Sequence, residues 1–263
     1  MYNLMRADMY KLLRSRGVYI CLGIIIAAAC LVIFVFRVAP ASGIVTEEDI
    51  FAPVAEGYMT TTMGAELALG SINSLSFFFL AGIAVVIISV FSSGAIKNEI
   101  TTGISRTKYY ISKWLTCCIF SMFMMILYFS LFIVFASFAD GLSFGIGDYF
   151  GEALIAFGLQ LLLGIGVTSV GVFLAFVTRK AGATDGIYIA FLMVPSFVIA
   201  LLDIAFDWAM SFAMYDMFFL YGVFANWANA PTSDIIRGVV VTLGFTIIST
   251  VAGIILFRRA EVK

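Results

Sequence analysis

Long apolar runs alternate with short polar segments along this chain of 263 residues. A helix needs about 20 predominantly apolar residues to cross a bilayer, and six runs approach or exceed that length. The predicted spans are Val18–Phe36, Ile72–Phe91, Leu115–Ala139, Ala153–Val177, Ile187–Phe206 and Ile235–Phe257. The pattern therefore predicts an all-α polytopic membrane protein with six transmembrane helices.

A seventh apolar stretch, Trp208–Trp227, is interrupted by Asp216, Gly222 and Asn226. If it crossed the membrane, the basic C-terminal end of the chain would face outward, against the positive-inside rule. We therefore interpret residues 208–228 as one or two re-entrant or interfacial helices at the outer face. Such backbone is tolerated at membrane depth where protein or a cavity lines it.

The N-terminal segment 1–16 has the amphipathic pattern of a helix that lies in the membrane interface. On a helical wheel the apolar side carries Met1, Tyr2, Met5, Met9, Leu12 and Leu13. The opposite side carries Arg6, Tyr10, Lys11 and Arg14. The alternative interpretation is a solvated basic tail that only fixes the topology.

Composition supports a membrane environment, because 63% of the residues are hydrophobic and only 12% are charged. Soluble proteins have about 45–50% apolar and about 25% charged residues. The net charge of −1 argues against a nucleic-acid binder. The absence of histidine excludes histidine-based acid–base catalysis and nearly all common zinc sites. The sequence also has no phosphate-binding loop of the G-x-x-x-x-G-K-[ST] type.

The predicted topology places 13 of the 15 basic residues on one side of the membrane, leaving Arg37 and Arg237 on the other. Because short cytoplasmic loops retain lysine and arginine, both termini are predicted to be cytoplasmic. Most carboxylates fall on or near the outer side. The exceptions are Asp8, Glu99, Asp185 and Glu261.

Ion-coupled carriers usually hold an ionisable residue near mid-membrane, and here every candidate carboxylate lies near the end of a span. Gln160 is the strongest dipole within a span, and we expect its amide to bond a neighbouring helix. Small residues at Gly164, Thr168 and Gly171 favour close helix packing. An ion-coupled carrier is therefore disfavoured, and energy for uphill transport would have to come from another polypeptide.

The longest predicted cytoplasmic connection, Ser92–Trp114, separates the second and third spans. Residues Ala95–Thr102 read as a two-turn helix bracketed by Gly94 and Gly103, both natural stop signals. Ser105 is placed to cap a further helix that continues into the third span. The alternative is a solvated loop whose lysines only enforce topology.

Residues 94–113, GAIKNEITTGISRTKYYISK, resemble the loop signature of ABC-2-type exporter permeases. That signature reads approximately G-T-I-[KR]-N-x-[IL]-x-x-G-x-S-R-x-x-[IY]-[YF]-[LI]-[SG]-K. The similarity is nearly continuous over these twenty positions, with Ala95 where the family often has threonine. The rest of the chain resembles the family in layout only.

The resemblance implies the ABC-2 exporter fold, with residues 1–16 as an elbow helix and Ala95–Thr102 as a coupling helix. The positions expected to contact a cytoplasmic ATPase subunit through the coupling segment are Lys97, Asn98, Glu99, Thr102, Gly103, Ser105 and Arg106. The elbow positions expected to contact the ATPase or the interface are Arg6, Lys11 and Arg14.

The resemblance further implies a permease subunit without an ATPase site or cofactor of its own. ATP and magnesium would be bound by the partner ATPase. A second permease copy, identical or homologous, would complete the transporter in a bacterial plasma membrane. A substrate path would lie between the two permease copies.

Substrate identity is open at this stage, although small permeases of this family often export antimicrobial peptides, lantibiotics or drugs. The first outer loop carries Glu47, Glu48, Asp49, Glu56 and Glu66, which would attract cationic molecules. The alternative is that outer loops are acidic simply because basic residues stay inside. A non-transporting membrane receptor or scaffold is a further alternative function.

Overall fold

The computed structural model describes residues 2–41, 61–96, 104–139, 149–206 and 210–259. All regular secondary structure in these ranges is helical, and no strand occurs in them. The all-α class predicted from the hydrophobic pattern is confirmed.

The described ranges contain nine helices, which we number along the chain. They are α1 Tyr2–Arg14, α2 Arg16–Ala41, α3 Thr61–Ser92, α4 Arg106–Ala139, α5 Tyr149–Thr178, α6 Ala181–Asp203, α7 Met210–Ala213, α8 Met217–Ala225 and α9 Thr232–Arg259. Two segments of α3 depart from α-helical geometry, a 3-10 turn at Ile72–Ser74 and a π-helical segment at Ala84–Ile88. Such segments change the regular backbone hydrogen-bond pattern without ending the helix.

Five of the described helices, α3, α4, α5, α6 and α9, are long and apolar enough to cross a membrane. A sixth crossing results when α1 and the first part of α2 are counted together as one bent span. These two helices meet at an angle of 59°. The bend separates the amphipathic α1 from the apolar α2.

The helices extend beyond the apolar windows predicted from the sequence. α3 begins at Thr61 and α4 begins at Arg106, well before the windows that open at Ile72 and Leu115. Hydropathy marks only the lipid-facing length, whereas helical hydrogen bonding continues into the polar ends. The exception is the fifth window, Ile187–Phe206, because α6 ends at Asp203 and a turn follows.

Between α6 and α9 the chain forms the short helices α7 and α8, with residues 207–209 outside the described ranges. The nine residues of α8 are too few to cross a bilayer. Asp216 caps α8 by accepting a hydrogen bond from the backbone N–H of Phe218 at 3.2 Å, and it also accepts one from the Ser196 hydroxyl. The buried side chains Leu220 and Phe224 pack α8 into the bundle.

Helix α5 occupies the centre of the bundle and packs against α3, α4, α6, α8 and α9. Small residues make this close packing possible. A Cβ atom on Gly164 would lie 2.5 Å from Met125 Sδ, and one on Gly171 would lie 2.6 Å from Ile83 Cδ1. The helix-packing role predicted for this face is therefore confirmed. By contrast, only 11% of the apolar window of α6 and 17% of that of α9 are buried within the chain.

Candidate coupling site at the basic end of the bundle

Basic side chains gather at the end of the bundle where α3, α5 and α9 end and α4 and α6 begin. We call this the basic end. Its described basic residues are Arg6, Lys11, Arg14, Arg16, Arg106, Lys108, Lys113, Arg179, Lys180, Arg258 and Arg259. The described charged residues at the opposite end include Glu66, Glu152, Asp203, Asp234 and Arg237. The charge asymmetry predicted along the sequence therefore separates the two ends of the fold.

The chain leaves α3 through a turn at Gly94, whose φ of +67° lies in the left-handed region that favours glycine. The Gly94 N–H donates to the carbonyl of Phe91 at 3.3 Å. Gly94 therefore ends the helix, as its place in the sequence predicts. Two residues later Ile96 is only 4% exposed and joins the hydrophobic core. The connection between α3 and α4 therefore begins at a buried residue, Ile96.

Most of the predicted coupling helix lies outside the described residues, which resume at Ile104. The candidate coupling residues in that gap are Lys97, Asn98, Glu99, Thr102 and Gly103. Their role remains a prediction from the signature.

Ser105 lies immediately before α4 and caps it. Its hydroxyl accepts a hydrogen bond from the backbone N–H of Lys108 at 3.4 Å, and its carbonyl accepts one from Tyr109 at 3.0 Å. This is the geometry of an N-cap residue. The capping role predicted for Ser105 is confirmed.

Arg106 joins the start of α4 to the end of α9. Its guanidinium Nη1 donates to the carbonyl of Arg258 at 3.0 Å and to that of Phe257 at 3.4 Å. The last carbonyls of a helix lack intrahelical donors and carry partial negative charge. Sequence reasoning placed Arg106 among the ATPase contacts, and the structure gives it this partner within the chain.

An aromatic cluster joins four helices just inside the basic end. We use this name for Phe91, Tyr109, Tyr110, Phe176 and Phe257, which belong to α3, α4, α5 and α9. The ring of Phe176 lies 4.6 Å from that of Tyr110, 4.9 Å from that of Phe257 and 5.7 Å from that of Phe91, between centroids. Tyr109 stacks on Phe257 at 5.8 Å. A displacement of the start of α4 would therefore press on three other helices.

Gly253 of α9 allows the close approach of α4 to this cluster. A Cβ atom at this position would collide with the hydroxyl and ring of Tyr110. Tyr110 is fully buried and its ring packs against Phe176, so it has no room to withdraw.

The substitution Gly253→Ala is expected to lower the stability of the folded protein by about 1–3 kcal/mol, the usual cost of overpacking. Gly244→Ala is a matched control on the same helix, because nothing lies within 4 Å of the Cβ position there. Thermal unfolding in detergent would measure both variants. Equal melting temperatures for the two would contradict the described packing, and Tyr110→Phe should recover part of the loss.

The elbow candidates Arg6, Lys11 and Arg14 all lie on the exposed side of α1. The Arg14 guanidinium donates to the hydroxyl of Tyr10 at 3.0 Å, and Lys11 Nζ lies 4.0 Å from Asp8 Oδ1. The structure therefore leaves this basic face of α1 accessible.

The buried side of α1 overlaps only in part with the apolar side predicted from its helical wheel, sharing Leu12 and Met9. Asp8 and Leu12 are the buried residues of α1, whereas Tyr2 and Leu13 are 73% and 63% exposed. A membrane protein has an apolar solvent, so exposed apolar side chains can face lipid instead of the core. The wheel identifies the apolar side without showing which part of it meets protein.

Asp8 forms a buried ion pair with Lys113 of α4. The Nζ to Oδ1 distance is 2.8 Å, and both side chains are 0% exposed. The ammonium group also lies 5.1 Å from the centroid of the Tyr109 ring. Sequence reasoning counted Lys113 only as a topology determinant and as the last residue of the signature. The signal in the sequence that could have indicated this pair is the carboxylate of Asp8, which stands among the basic residues of segment 1–16.

A buried polar network lies deeper in the bundle and centres on Gln160. Its Nε2 donates to the carbonyl of Leu69 in α3 at 2.8 Å and to that of Tyr221 in α8 at 3.0 Å. Ser76 extends the network by donating to the Tyr221 hydroxyl at 3.2 Å and by accepting from Tyr188 at its carbonyl at 2.8 Å. The prediction that Gln160 bonds neighbouring helices is confirmed.

A polar cavity of about 210 Å³ opens at the end opposite to the basic end. Glu66, Tyr149 and Glu152 line it together with Trp227, whose indole N–H donates to the carbonyl of Glu152 at 2.9 Å. Glu66 was the one member of the predicted acidic outer set that falls within the described residues. The other four acidic residues, Glu47, Glu48, Asp49 and Glu56, lie outside them.

No group of three or more potential metal-ligating side chains occurs among the described residues. The described cysteines, Cys21, Cys30, Cys117 and Cys118, are unpaired thiols within apolar helices. That the chain itself binds no cofactor stays a prediction.

A family model matches most of the chain. The family model described as ABC-2 family transporter protein matches residues 4–195, from α1 into α6. This range contains the signature segment 94–113, the buried ion pair of α1 with α4 and the central helix α5. No curated protein matches the chain significantly. The chain belongs to the ABC-2 transporter family, whose members are membrane components of transport systems.

Proposed function

We propose that this protein is the permease subunit of an ATP-binding cassette exporter, driven by a separate cytoplasmic ATPase subunit. The observation that carries the proposal is the position of the signature segment, residues 94–113. It links the end of α3 to the capped start of α4, at the end of the bundle where the basic residues gather. A polar, basic segment at such a place is suited to receive a soluble partner.

In this proposal the basic end faces the cytoplasm, as the positive-inside rule favours. The segment 95–102 acts as the coupling helix, and Lys97, Asn98, Glu99, Thr102 and Gly103 contribute to the ATPase contact. Ser105 is exposed beside it. Arg6, Lys11 and Arg14 supply a second basic surface, which contacts the ATPase or the lipid headgroups.

The packing at the basic end suggests how movement of the coupling helix would spread. Force on the connection reaches the start of α4 directly. From there the aromatic cluster transmits it to Phe176 of α5 and Phe257 of α9, and Arg106 holds the end of α9. Close-packed interiors transmit displacement instead of absorbing it. ATP binding and hydrolysis would thereby rearrange the helices that line a substrate path.

A second permease copy completes the transporter in this proposal, with the substrate path between the two copies. The low burial of α6 and α9 within one chain leaves large apolar faces for lipid and for that second copy. We assign the exported substrate to the peptide, lantibiotic or drug class. The carboxylates Glu66 and Glu152 at the opposite end would favour a cationic member of that class.

Binding of a candidate cytoplasmic ABC ATPase from the same cell tests the proposal. The two proteins would be co-expressed, purified through a tag on the permease and assayed for ATP hydrolysis in nanodiscs. We expect Glu99→Ala and Gly103→Pro to reduce ATPase co-purification and permease-dependent hydrolysis at least tenfold. These changes remove a charge-assisted contact and prevent the turn after the coupling helix.

The control for this experiment is Asp203→Ala, which removes an exposed carboxylate at the opposite end of the bundle. It should leave co-purification and ATP hydrolysis unchanged. If Glu99→Ala and Gly103→Pro both bind and stimulate the ATPase like the unmodified permease, the assignment of the coupling segment is wrong.

A further inference from the structure

The Asp8–Lys113 ion pair lies within the part of the chain that would receive the ATPase. Lys113 lies about two helical turns after Arg106, the first residue of α4. Helix α1 also packs against the π-helical segment Ala84–Ile88 of α3. The elbow helix therefore contacts both helices that flank the α3–α4 connection.

Burial of this pair is not explained by stability alone. Two apolar residues of similar volume often stabilise a protein as well as a buried ion pair does, whereas the ion pair fixes one arrangement of its two partners. The fully buried side chains of α1 are Asp8 and Leu12, and Leu4 and Met9 also pack against the hydrophobic core. The Asp8 carboxylate also has Lys11 nearby on the exposed face of α1, with Nζ 4.0 Å from Oδ1. The pair is thus a directional contact between α1 and α4, in contrast to the apolar packing around it.

We propose that the Asp8–Lys113 pair locks α1 to the start of α4, so that the two move as one rigid body when the ATPase acts on the α3–α4 connection. Asp8 and Lys113 are positioning residues in this mechanism. They transfer movement from the coupling segment to the elbow helix at the membrane surface. This inference rests on the proposed function, because it takes the ATPase as the source of the movement.

Distances between spin labels test the rigid-body movement. Ala7 of α1, Lys108 of α4 and Gly182 of α6 are exposed positions suitable for cysteine labels. The accessible native thiols Cys21 and Cys30 would first be replaced by serine. The complex with the ATPase would be measured in nanodiscs, without nucleotide and after trapping with ATP and vanadate.

We expect the distance from Ala7 to Lys108 to be the same in both nucleotide states, whereas the distance from Ala7 to Gly182 shifts. A change in the distance from Ala7 to Lys108 would show that α1 and α4 move apart, and would overturn the proposal. If the distance from Ala7 to Gly182 stayed constant with the ATPase bound, α1 would not be moved by the ATPase, and the proposal would also be overturned.

The variant Asp8→Leu/Lys113→Met separates positioning from simple stabilisation, because apolar packing is not directional. We expect it to fold and to retain ATP hydrolysis. The distribution of distances from Ala7 to Lys108 should broaden, and the nucleotide-dependent change in the distance from Ala7 to Gly182 should fall by at least half. A change equal to that in the unmodified chain would contradict the role of the pair.

The conservative variant Lys113→Arg keeps the charge and should keep the narrow distance distribution. If the ATPase fails to bind the unmodified permease, the proposed function has failed. The width of the distance distribution from Ala7 to Lys108 in the permease alone would then still decide whether the ion pair locks α1 to α4.

Discussion

The single substitution Lys113→Met is expected to destabilise the protein by about 3–5 kcal/mol, the usual cost of removing one partner of a buried ion pair. It leaves the Asp8 carboxylate, whose side chain is 0% exposed, without its closest cation at 2.8 Å. Equilibrium unfolding in mixed detergent micelles would measure the loss. The exposed residue Lys108 provides the matched control, since Lys108→Met removes a charge five residues earlier at the surface of the same helix.

The double variant Asp8→Leu/Lys113→Met should recover most of the stability lost in Lys113→Met, because neither charge is then buried. This recovery separates the cost of an unpaired charge from a general intolerance of position 113. Equal stabilities for Lys113→Met and Lys108→Met would show that the ion pair does not form.

The second large effect is expected for Gln160→Leu, which removes both hydrogen bonds from the Gln160 amide to the carbonyls of Leu69 and Tyr221. A buried hydrogen bond contributes about 0.5–1.5 kcal/mol net to stability, and Gln160→Leu removes two of them. Water cannot replace the donors, because Gln160 is 0% exposed. Equilibrium unfolding should therefore show a clear loss of stability.

The control for Gln160→Leu is Thr246→Val, an isosteric change in α9. The Thr246 hydroxyl donates to the carbonyl of Thr242 within its own helix, so its loss breaks no contact between helices. Thr246→Val should remain near the stability of the unmodified chain. A similar result for Gln160→Leu would contradict the described connection between α3, α5 and α8.

Features governed by nearby residues could be predicted from the sequence. The apolar runs revealed the helices because lipid requires about 20 apolar residues in a spanning helix. Gly94 and Ser105 revealed the end of α3 and the start of α4, since left-handed backbone and N-capping depend on local chemistry. The polar Gln160 indicated a contact between helices, because a buried amide needs hydrogen-bonding partners.

Features governed by residues distant in the sequence could not be predicted. Asp8 and Lys113 are 105 positions apart, and Arg106 and Phe257 are 151 apart. Periodicity describes one helix at a time and does not show which faces meet. The aromatic cluster is likewise formed by four helices. Phe91, Phe176 and Phe257 were interpreted as ordinary parts of apolar runs, and Tyr109 and Tyr110 as parts of the signature segment.

The helix ends and the orientation of α1 show a further limit. Hydropathy gave windows that start later than α3 and α4 do, because polar residues at the membrane boundary remain helical. The helical wheel placed Tyr2 and Leu13 on the apolar side of α1 together with Leu12, yet only Leu12 is buried by protein. In a membrane protein the apolar face is shared between protein and lipid.

Cross-linking at Ser105 is the measurement that tests the central claim most directly. Ser105 is exposed and adjoins the predicted coupling segment. A cysteine at this position, in membranes that contain the candidate ATPase, is predicted to form a cross-linked product with that ATPase. Asp203→Cys at the opposite end should form none. The account would be contradicted if Ser105→Cys gave no cross-link to an ATPase that co-purifies with the permease.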